Sequence, residues 1–312
     1  MSWLRRSPTP HATLADHLRE RVAAGPLVLP GAHDALAALL AQRAGFRALY
    51  LSGAAYAASR GLPDLGLVGP EEIAERAADI VRATDLPLVV DIDTGYGGVL
   101  AAARAARLLA EARVAGVQIE DQRYPKKCGH LSDKSLAPPE ELEQKIQAIR
   151  AVCPTLYLIA RTDAHEREGL EGVVTRARRY LAAGADAIFP EALTTEAEFR
   201  AVREALPDAT LLANLTEFGK TPPYTAAELA SWGYRMILFP VSALRVAAKA
   251  MERLYRHLWE QGTTRDLVAE MQTRAELYDT ISYFEYEALD NQIVRSTVPE
   301  WPSEVRPRGP GR

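Results

Sequence analysis

Leu88-Val89-Val90-Asp91-Ile92-Asp93-Thr94-Gly95-Tyr96-Gly97-Gly98 contains the unit that this chain repeats: a short apolar run, acidic residues where the run ends, and glycines before the next helix. Consecutive apolar residues without polar alternation fit a strand of a parallel sheet buried on both faces, and an Ala-, Arg- and Glu-rich helical stretch follows. Gly116 to Ile119 is the next such run. Outward in both directions the rhythm recurs at Leu27 to Leu29, Ala48 to Leu51, Leu156 to Ala160, Ala187 to Phe189, Leu211 to Ala213 and Met236 to Phe239. Eight strands alternating with helices predict an α/β protein of the (β/α)8 TIM-barrel type. A doubly wound open sheet reads similarly but normally carries a Gly-rich phosphate turn after an early strand, and none stands here.

Both flanks of this pattern are helical. Leu14, Leu18 and Val22 predict an amphipathic helix over Thr13 to Ala23. After the last strand, Ala243 to Gln261 and Arg265 to Leu289 read as two long helices separated by Gly262-Thr263-Thr264. A closed barrel needs only the first. The apolar positions of the second, among them Leu267, Met271, Leu277, Ile281 and Phe284, call for a packing surface, and a partner subunit would supply one. The Pro-, Gly- and Arg-rich stretch from Pro299 reads as disordered. The expected organisation is an N-terminal segment and helix over 1–24, a barrel over 25–262 with a lid loop at 121–139, a helical extension over 263–295 and a disordered tail over 296–312.

The 312 residues are 48% apolar and 25% charged, as in soluble globular proteins. A formal charge of −4 offers no general case for nucleic acid, and no apolar run approaches the roughly 20 residues that span a bilayer. Two cysteines, Cys128 and Cys153, make no disulfide framework, and Met1 to His11 lacks the apolar core of an export signal. The expected location is the cytosol.

Catalytic groups of barrel enzymes sit at the C-terminal ends of the strands. Those positions here are Ser52-Gly53, Asp91 and Asp93, Glu120, Arg161 and Asp163, Glu191, Asn214 and Thr216, then Ser242 and Arg245. In Asp91-Ile92-Asp93 the strand period of two points both carboxylates to one side, with glycines leaving space above them. Two oxygen ligands completed by water and substrate suit Mg2+ or Mn2+; an Asp-rich turn is the structural alternative. Glu120 could orient a metal-bound water. Arg161, Arg245 and, on the surplus helix, Arg274 are candidate carboxylate clamps, although Arg274 also fits an ordinary surface position. No strand ends in Lys, which argues against a Schiff-base aldolase.

The loop after Glu120 holds Lys126, Lys127, Cys128, Gly129 and His130. Two cations and an imidazole beside a thiol stabilise a thiolate and attract an anion, whereas the structural alternative is a solvated loop with an incidental cysteine. Together with the strand ends this suits metal-assisted chemistry on a small polycarboxylate, with Cys128 as acid, base or nucleophile.

Nearly the whole chain, to about Arg295, resembles the isocitrate lyase and phosphoenolpyruvate mutase superfamily. The resemblance is carried by Tyr50-Leu51-Ser52-Gly53, Gly61-Leu62-Pro63-Asp64-Leu65-Gly66, Asp91 to Gly97, Ile119 to Gln122, Lys126 to His130, Ala160 to Ala164, Phe189 to Ala192, Leu212 to Gly219 and Met271 to Arg274. The Lys-Lys-Cys-Gly-His phrase belongs to its lyase side, and Asn214 to Gly219 with Met271 to Arg274 favour the methylisocitrate-cleaving members. The chain departs from common patterns at His33-Asp34, Ala54 and Gln118.

The resemblance implies that Asp91 and Asp93 hold Mg2+, with Mn2+ as a substitute, and that Glu120 stands behind them. Ser52, Gly53 and Ala54 would bind a pyruvate-like portion. Arg161, Glu191, Asn214, Leu215, Thr216, Arg245 and Arg274, with the lid residues Lys126, Lys127 and Gly129, would bind the remaining carboxylates or position the lid. Tyr50 would be a base, and Cys128, beside His130, the acid that protonates a carbanion. The implied reaction is cleavage of 2-methylisocitrate to pyruvate and succinate, a step of propionate breakdown in the methylcitrate cycle. The implied assembly is a homotetramer with swapped C-terminal helices. Rival substrates are isocitrate, dimethylmalate, oxaloacetate and carboxyphosphonoenolpyruvate, and the rival of another class is a non-catalytic carboxylate-binding barrel.

Overall fold

The computed structural model describes residues 3–126 and 135–297, with side chains to residue 293. Contacts divide the chain into two compact units, Pro8–Thr264 and a second formed from the residues on either side of it.

The larger unit runs α1 (His11–Ala24), β1 (Leu27–Pro30), α2 (Ala35–Arg43), β2 (Leu49–Leu51), α3 (Gly53–Ser59), α4 (Pro70–Thr84), β3 (Leu88–Asp91), α5 (Val99–Glu111), β4 (Gly116–Glu120), α6 (Pro139–Val152), β5 (Tyr157–Thr162), α7 (His165–Ala183), β6 (Ala187–Pro190), α8 (Glu196–Ala205), β7 (Thr210–Asn214), α9 (Ala226–Ser231), β8 (Met236–Phe239) and α10 (Ser242–Gln261). All eight strands are parallel, in the order β1-β8-β7-β6-β5-β4-β3-β2. A single bridge between Gly31 and Tyr50, with the Ala32 N–H donating to the Tyr50 carbonyl at 2.8 Å, closes the ring between β1 and β2. This is the expected TIM-type barrel.

Local sequence explains the elements. Val89, Val90, Val117 and Ile119 are fully buried, as strands covered on both faces require. Pro70 opens α4 at a position whose N–H needs no partner, and the Glu72 carboxylate accepts the Gly69 N–H at 2.8 Å. The helix then buries Ile73, Ala77, Ile80 and Val81 against the barrel and ends on Asp85 in the left-handed region. Burying each such Ile or Val contributes about 1.5–3 kcal/mol. Leu14, Leu18 and Val22 of α1 are buried in the same core, with Leu18 beside Gly116 at the start of β4.

The second unit contains a 3-10 turn (Arg265–Glu270), α11 (Arg274–Thr280) and α12 (Tyr283–Thr297). The single helix expected over Arg265 to Leu289 is therefore three pieces. Thr273 and Glu276 form a reciprocal capping box that starts a new helix at Arg274, and Ser282 at φ 57° breaks the run again. The segment expected to be disordered from Pro299 lies outside the described residues. No helix among the described residues is long and apolar enough to cross a membrane.

Candidate active site

The C-terminal ends of the strands surround a cavity of about 90 Å³, lined by Tyr50, Ser52, Ala54, Asp64, Asp91, Lys126, Arg161, Phe189, Glu191, Asn214, Thr216 and Arg245 among others. Strand periodicity builds it. Tyr50 and Ser52, Asp91 and Asp93, Gln118 and Glu120, Arg161 and Asp163, Phe189 and Glu191, and Asn214 and Thr216 are all spaced at i, i+2, so the last residues of six strands and the first residues beyond them supply the site in pairs. Register then sets the neighbours: Gln118 is paired with Asp91, Arg161 with Glu120, and Phe189 with Arg161.

Asp91 and Asp93 lie side by side. The Asp93 N–H donates to Asp91 Oδ1 at 3.1 Å, and the Gly53 N–H donates to Asp91 Oδ2 at 3.2 Å. Asp93 takes φ 50°, a left-handed conformation that Asp tolerates better than most residues and that commonly marks functional sites. Gly53 gives the carboxylates room, because a Cβ there would stand 3.1 Å from Asp93 Oδ1 and 3.3 Å from Asp91 Oδ2. Lys126 reaches into this place with its side chain 4% exposed: its ammonium pairs with Asp64 and lies 2.7 Å from Asp93 Oδ1.

Arg161 is the second buried cation. It meets Asp163 with Nε on Oδ2 at 2.9 Å and Nη2 on Oδ1 at 3.0 Å, lies 3.3 Å from Glu120 and 3.8 Å from Glu191, and stacks over Phe189 at 5.3 Å. Its planar fork is thus filled by Asp163, which leaves less of it for a substrate carboxylate than a free clamp would offer. Asn214 Nδ2 donates to Glu191 at 3.3 Å, and Arg245 from α10 donates to the Glu217 carboxylate at 2.9 Å and to Thr216 Oγ1 at 3.4 Å.

Around the cavity six carboxylates (Asp64, Asp91, Asp93, Glu120, Asp163, Glu191) share two buried cations, Lys126 and Arg161. Burial pushes the Asp91 carboxyl up against the pull of Lys126 and Arg161. Burial and then the charge of Asp91 push Asp93 up to about 7. Glu120 is raised well above the carboxylate range by burial, with Arg161 opposing, and its Oε1 is buried without a hydrogen-bond partner. Burial works against the charge on Lys126, but Asp93, Glu120, Asp91 and Asp64 outweigh it and hold the amine cationic. Tyr50 donates to Gln118 Oε1, and burial followed by the charge of Asp91 raises its phenol well above the usual value.

These residues fit a divalent cation. The donors are all oxygen, the local charge is negative in excess, and Glu120 carries an unused acceptor. Among the described residues no three or more acidic, His or Cys side chains gather in metal-holding geometry, so two carboxylates would be completed by water and substrate, the habit of Mg2+.

Leu215 is buried, with its N–H on the Leu238 carbonyl at 2.8 Å, and is not in the cavity wall. Arg274 opens α11 in the second unit. Lys127, Cys128, Gly129 and His130 lie outside the described residues. Sequence reasoning did not assign Asp64, Gln118, Phe189 or Glu217 to the site. The i, i+2 spacing would have found Gln118 from Glu120 and Phe189 from Glu191, and Asp64 is the only acid in its Gly- and Pro-bounded loop.

A parallel barrel with paired acids at its strand ends is the architecture of a large enzyme superfamily. The family model for phosphoenolpyruvate phosphomutase matches residues 18–259, and the chain belongs to that family. It is 56% identical over 301 residues to a 2-methylisocitrate lyase of Bacillus subtilis, covering 96% of this chain and all of that protein. It is 43% identical to the 2-methylisocitrate lyase of Escherichia coli K12, covering 88% of this chain and 94% of that one. Among solved structures, 2,3-dimethylmalate lyase, described as a member of the PEP mutase/isocitrate lyase superfamily, superposes with a TM-score of 0.84 at 35% identity, covering 91% of this chain and 96% of that one.

Proposed function

We propose that this chain is a Mg2+-dependent carbon–carbon lyase that cleaves 2-methylisocitrate to pyruvate and succinate, in propionate breakdown by the methylcitrate cycle. The observation that carries the reading is the pairing of buried Asp91 with half-buried Asp93 beside a polar cavity, in a chain 56% identical to a 2-methylisocitrate lyase along that protein's whole length.

A divalent cation held by Asp91 and Asp93 would polarise the oxygens of a 2-hydroxy acid. Glu120 offers its unpartnered oxygen to a water or substrate hydroxyl. The substrate hydroxyl gives its proton to Glu120, directly or through that water, as the pyruvate carbonyl forms; the carbon–carbon bond breaks, and its electron pair stays on the succinate half. The thiol of Cys128 returns a proton to that carbon, with His130 two residues on in the sequence. Asn214, Thr216 and Arg245 offer donors to substrate carboxylates, while Arg161, engaged by Asp163, steadies Glu120 and Glu191. Lys126 and Lys127 draw the anion in. Tyr50, with its raised pKa, acts as a hydrogen-bond donor at neutral pH.

The same reading places the enzyme in the cytoplasm as a homotetramer with exchanged C-terminal helices and Arg274 in a substrate-facing role. It draws support from α10, which buries none of its residues within the chain and exposes Val246, Tyr255 and Trp259.

The test is pyruvate release from 2-methylisocitrate, isocitrate, dimethylmalate and oxaloacetate, each with Mg2+ and with EDTA. The highest kcat/KM is expected on 2-methylisocitrate, with loss of turnover in EDTA. Glyoxylate from isocitrate at a higher kcat/KM would overturn the substrate, and no product from any of the four would favour a non-catalytic barrel.

A further inference from the structure

Lys126 stands where two cavities meet. The cavity of about 90 Å³ on the barrel axis and a second of about 750 Å³, lined by Tyr96, Val99, Gln122, Tyr124 and Lys145, share Lys126 in their walls. Asp64 faces the first and Asp93 the second. The smaller cavity is too small for a tricarboxylate, since ligand pockets typically run from about 300 Å³ upward. The Lys126 side chain, with its ion pairs to Asp64 and Asp93, forms part of the wall that the two share.

We propose that the ammonium of Lys126 competes for the Asp93 carboxylate, which with Asp91 would hold a divalent cation, so that metal entry expels Lys126 and joins the two cavities into one substrate-sized space. The proposal rests on the reading of Asp91 and Asp93 as metal ligands.

Three observations support it. The ammonium already acts as the local counterion, 2.7 Å from Asp93 Oδ1 and paired with Asp64, with its side chain 4% exposed. Gly53 carries no Cβ, which would stand 3.1 Å from Asp93 Oδ1 and 3.3 Å from Asp91 Oδ2 and crowd an incoming cation. A divalent ion and an ammonium on one carboxylate oxygen would repel each other in a region sheltered from water, where screening is weak. An internal competitor lowers apparent affinity by the fraction of time the site is free. Lys126 therefore sets the metal affinity, and the position of its own side chain reports on metal occupancy.

The experiment uses the full chain without substrate. Free Mn2+ is titrated by electron paramagnetic resonance for the wild type and Lys126→Met, and amine labelling of Lys126 is followed by mass spectrometry with and without saturating Mg2+. Removal of the competitor should tighten Mn2+ binding about tenfold or more. Labelling of Lys126 should be slow without metal and rise at least severalfold with it. Lys145, buried and bonded to the Thr94 carbonyl at 2.9 Å, is the internal reference and should stay slow in both states. Unchanged or weaker Mn2+ binding in a folded Lys126→Met protein overturns the proposal. So does Lys126 labelling that Mg2+ leaves unchanged or slows, a result that stands even if the variant does not fold. Absence of Mn2+ binding to the wild type would overturn the metal-site reading as well, whereas binding with unaltered labelling removes only this inference.

Discussion

The N–H of Ala137 donates to the carbonyl of Asp121 at 2.8 Å, joining two residues on opposite sides of the loop that carries Cys128. Gln122 and Leu136 form an antiparallel bridge beside them. Arg176 of α7 holds both feet: its Nη1 donates to the Asp121 carboxylate at 3.3 Å and to the Ala137 carbonyl at 3.0 Å. The loop thus leaves the barrel through a fixed neck.

Arg176→Met would strip a buried carboxylate of its counterion. Breaking such a pair costs about 3–5 kcal/mol, and the lower end is expected because Thr162, Tyr180 and the Asp163 N–H also donate to Asp121. Urea unfolding followed by circular dichroism measures it. A loss below about 1 kcal/mol, the scale of an exposed pair, would show that the neck does not depend on this charge.

Gly53→Ala should weaken metal binding without unfolding the protein. The backbone at Gly53 is not left-handed, so Ala is tolerated locally, but its methyl would press on Asp91 and Asp93. Overpacking of this kind costs about 1–3 kcal/mol, so about a tenfold rise in the Mg2+ dissociation constant is expected by calorimetry. Wild-type affinity in the variant would mean that the ion sits away from these two carboxylates.

Tyr50→Phe separates two roles for the phenol. A hydrogen-bond donor is worth about 0.5–1.5 kcal/mol, so kcat should fall by about tenfold at most with an unchanged pH profile. A general base contributes about 10²–10⁴-fold. A loss of that size, with one limb of the profile gone, would make Tyr50 the base.

Chelated protein should lose stability as pH rises toward 7. Asp93 titrates at about 7 in the fold, against an ordinary value near 3.8, so between those values the folded state holds more protons than the unfolded. Stability from this group is greatest at the acid end of that window and declines as pH rises through it. Asp93→Asn should flatten the decline in melting temperature between about pH 5 and pH 8. An equally steep decline in the variant would assign the effect to other groups.

Cys128→Ser should bind substrate with near wild-type affinity and lose turnover, because a hydroxyl is a far weaker acid than a thiol. Single-turnover kinetics with equilibrium binding would separate the two, and an unchanged kcat would remove Cys128 as the proton donor.

The barrel was legible because each strand is an uninterrupted apolar run such as Leu88-Val89-Val90, a pattern that burial on both faces imposes on the residues themselves. Asp91 and Asp93 were legible from their place at a strand end, although Asp93 lies past the strand in a left-handed conformation that the spacing did not show. Lys126 against Asp64 was not, because those residues are 62 positions apart and only the closed barrel brings their loops together. The two-point pairing of Arg161 with Asp163 was equally hidden: the i, i+2 spacing was visible, but not that the two turn inward onto each other. The break at Thr273 was missed although its capping box is written in the chain, because the apolar positions on either side kept helical spacing.

The paired side chains at i, i+2 around the ends of six strands give the active site an unusual kind of vulnerability. A substitution changes one group and leaves the others aimed as before. A single-residue deletion or insertion within any of these strands would turn both of that strand's contributions toward the helices and bring two apolar neighbours into the cavity. Descent in this lineage should therefore record length changes in the loops above the strands and almost none within them. A designer seeking new substrates would work in those loops and keep the strands in phase.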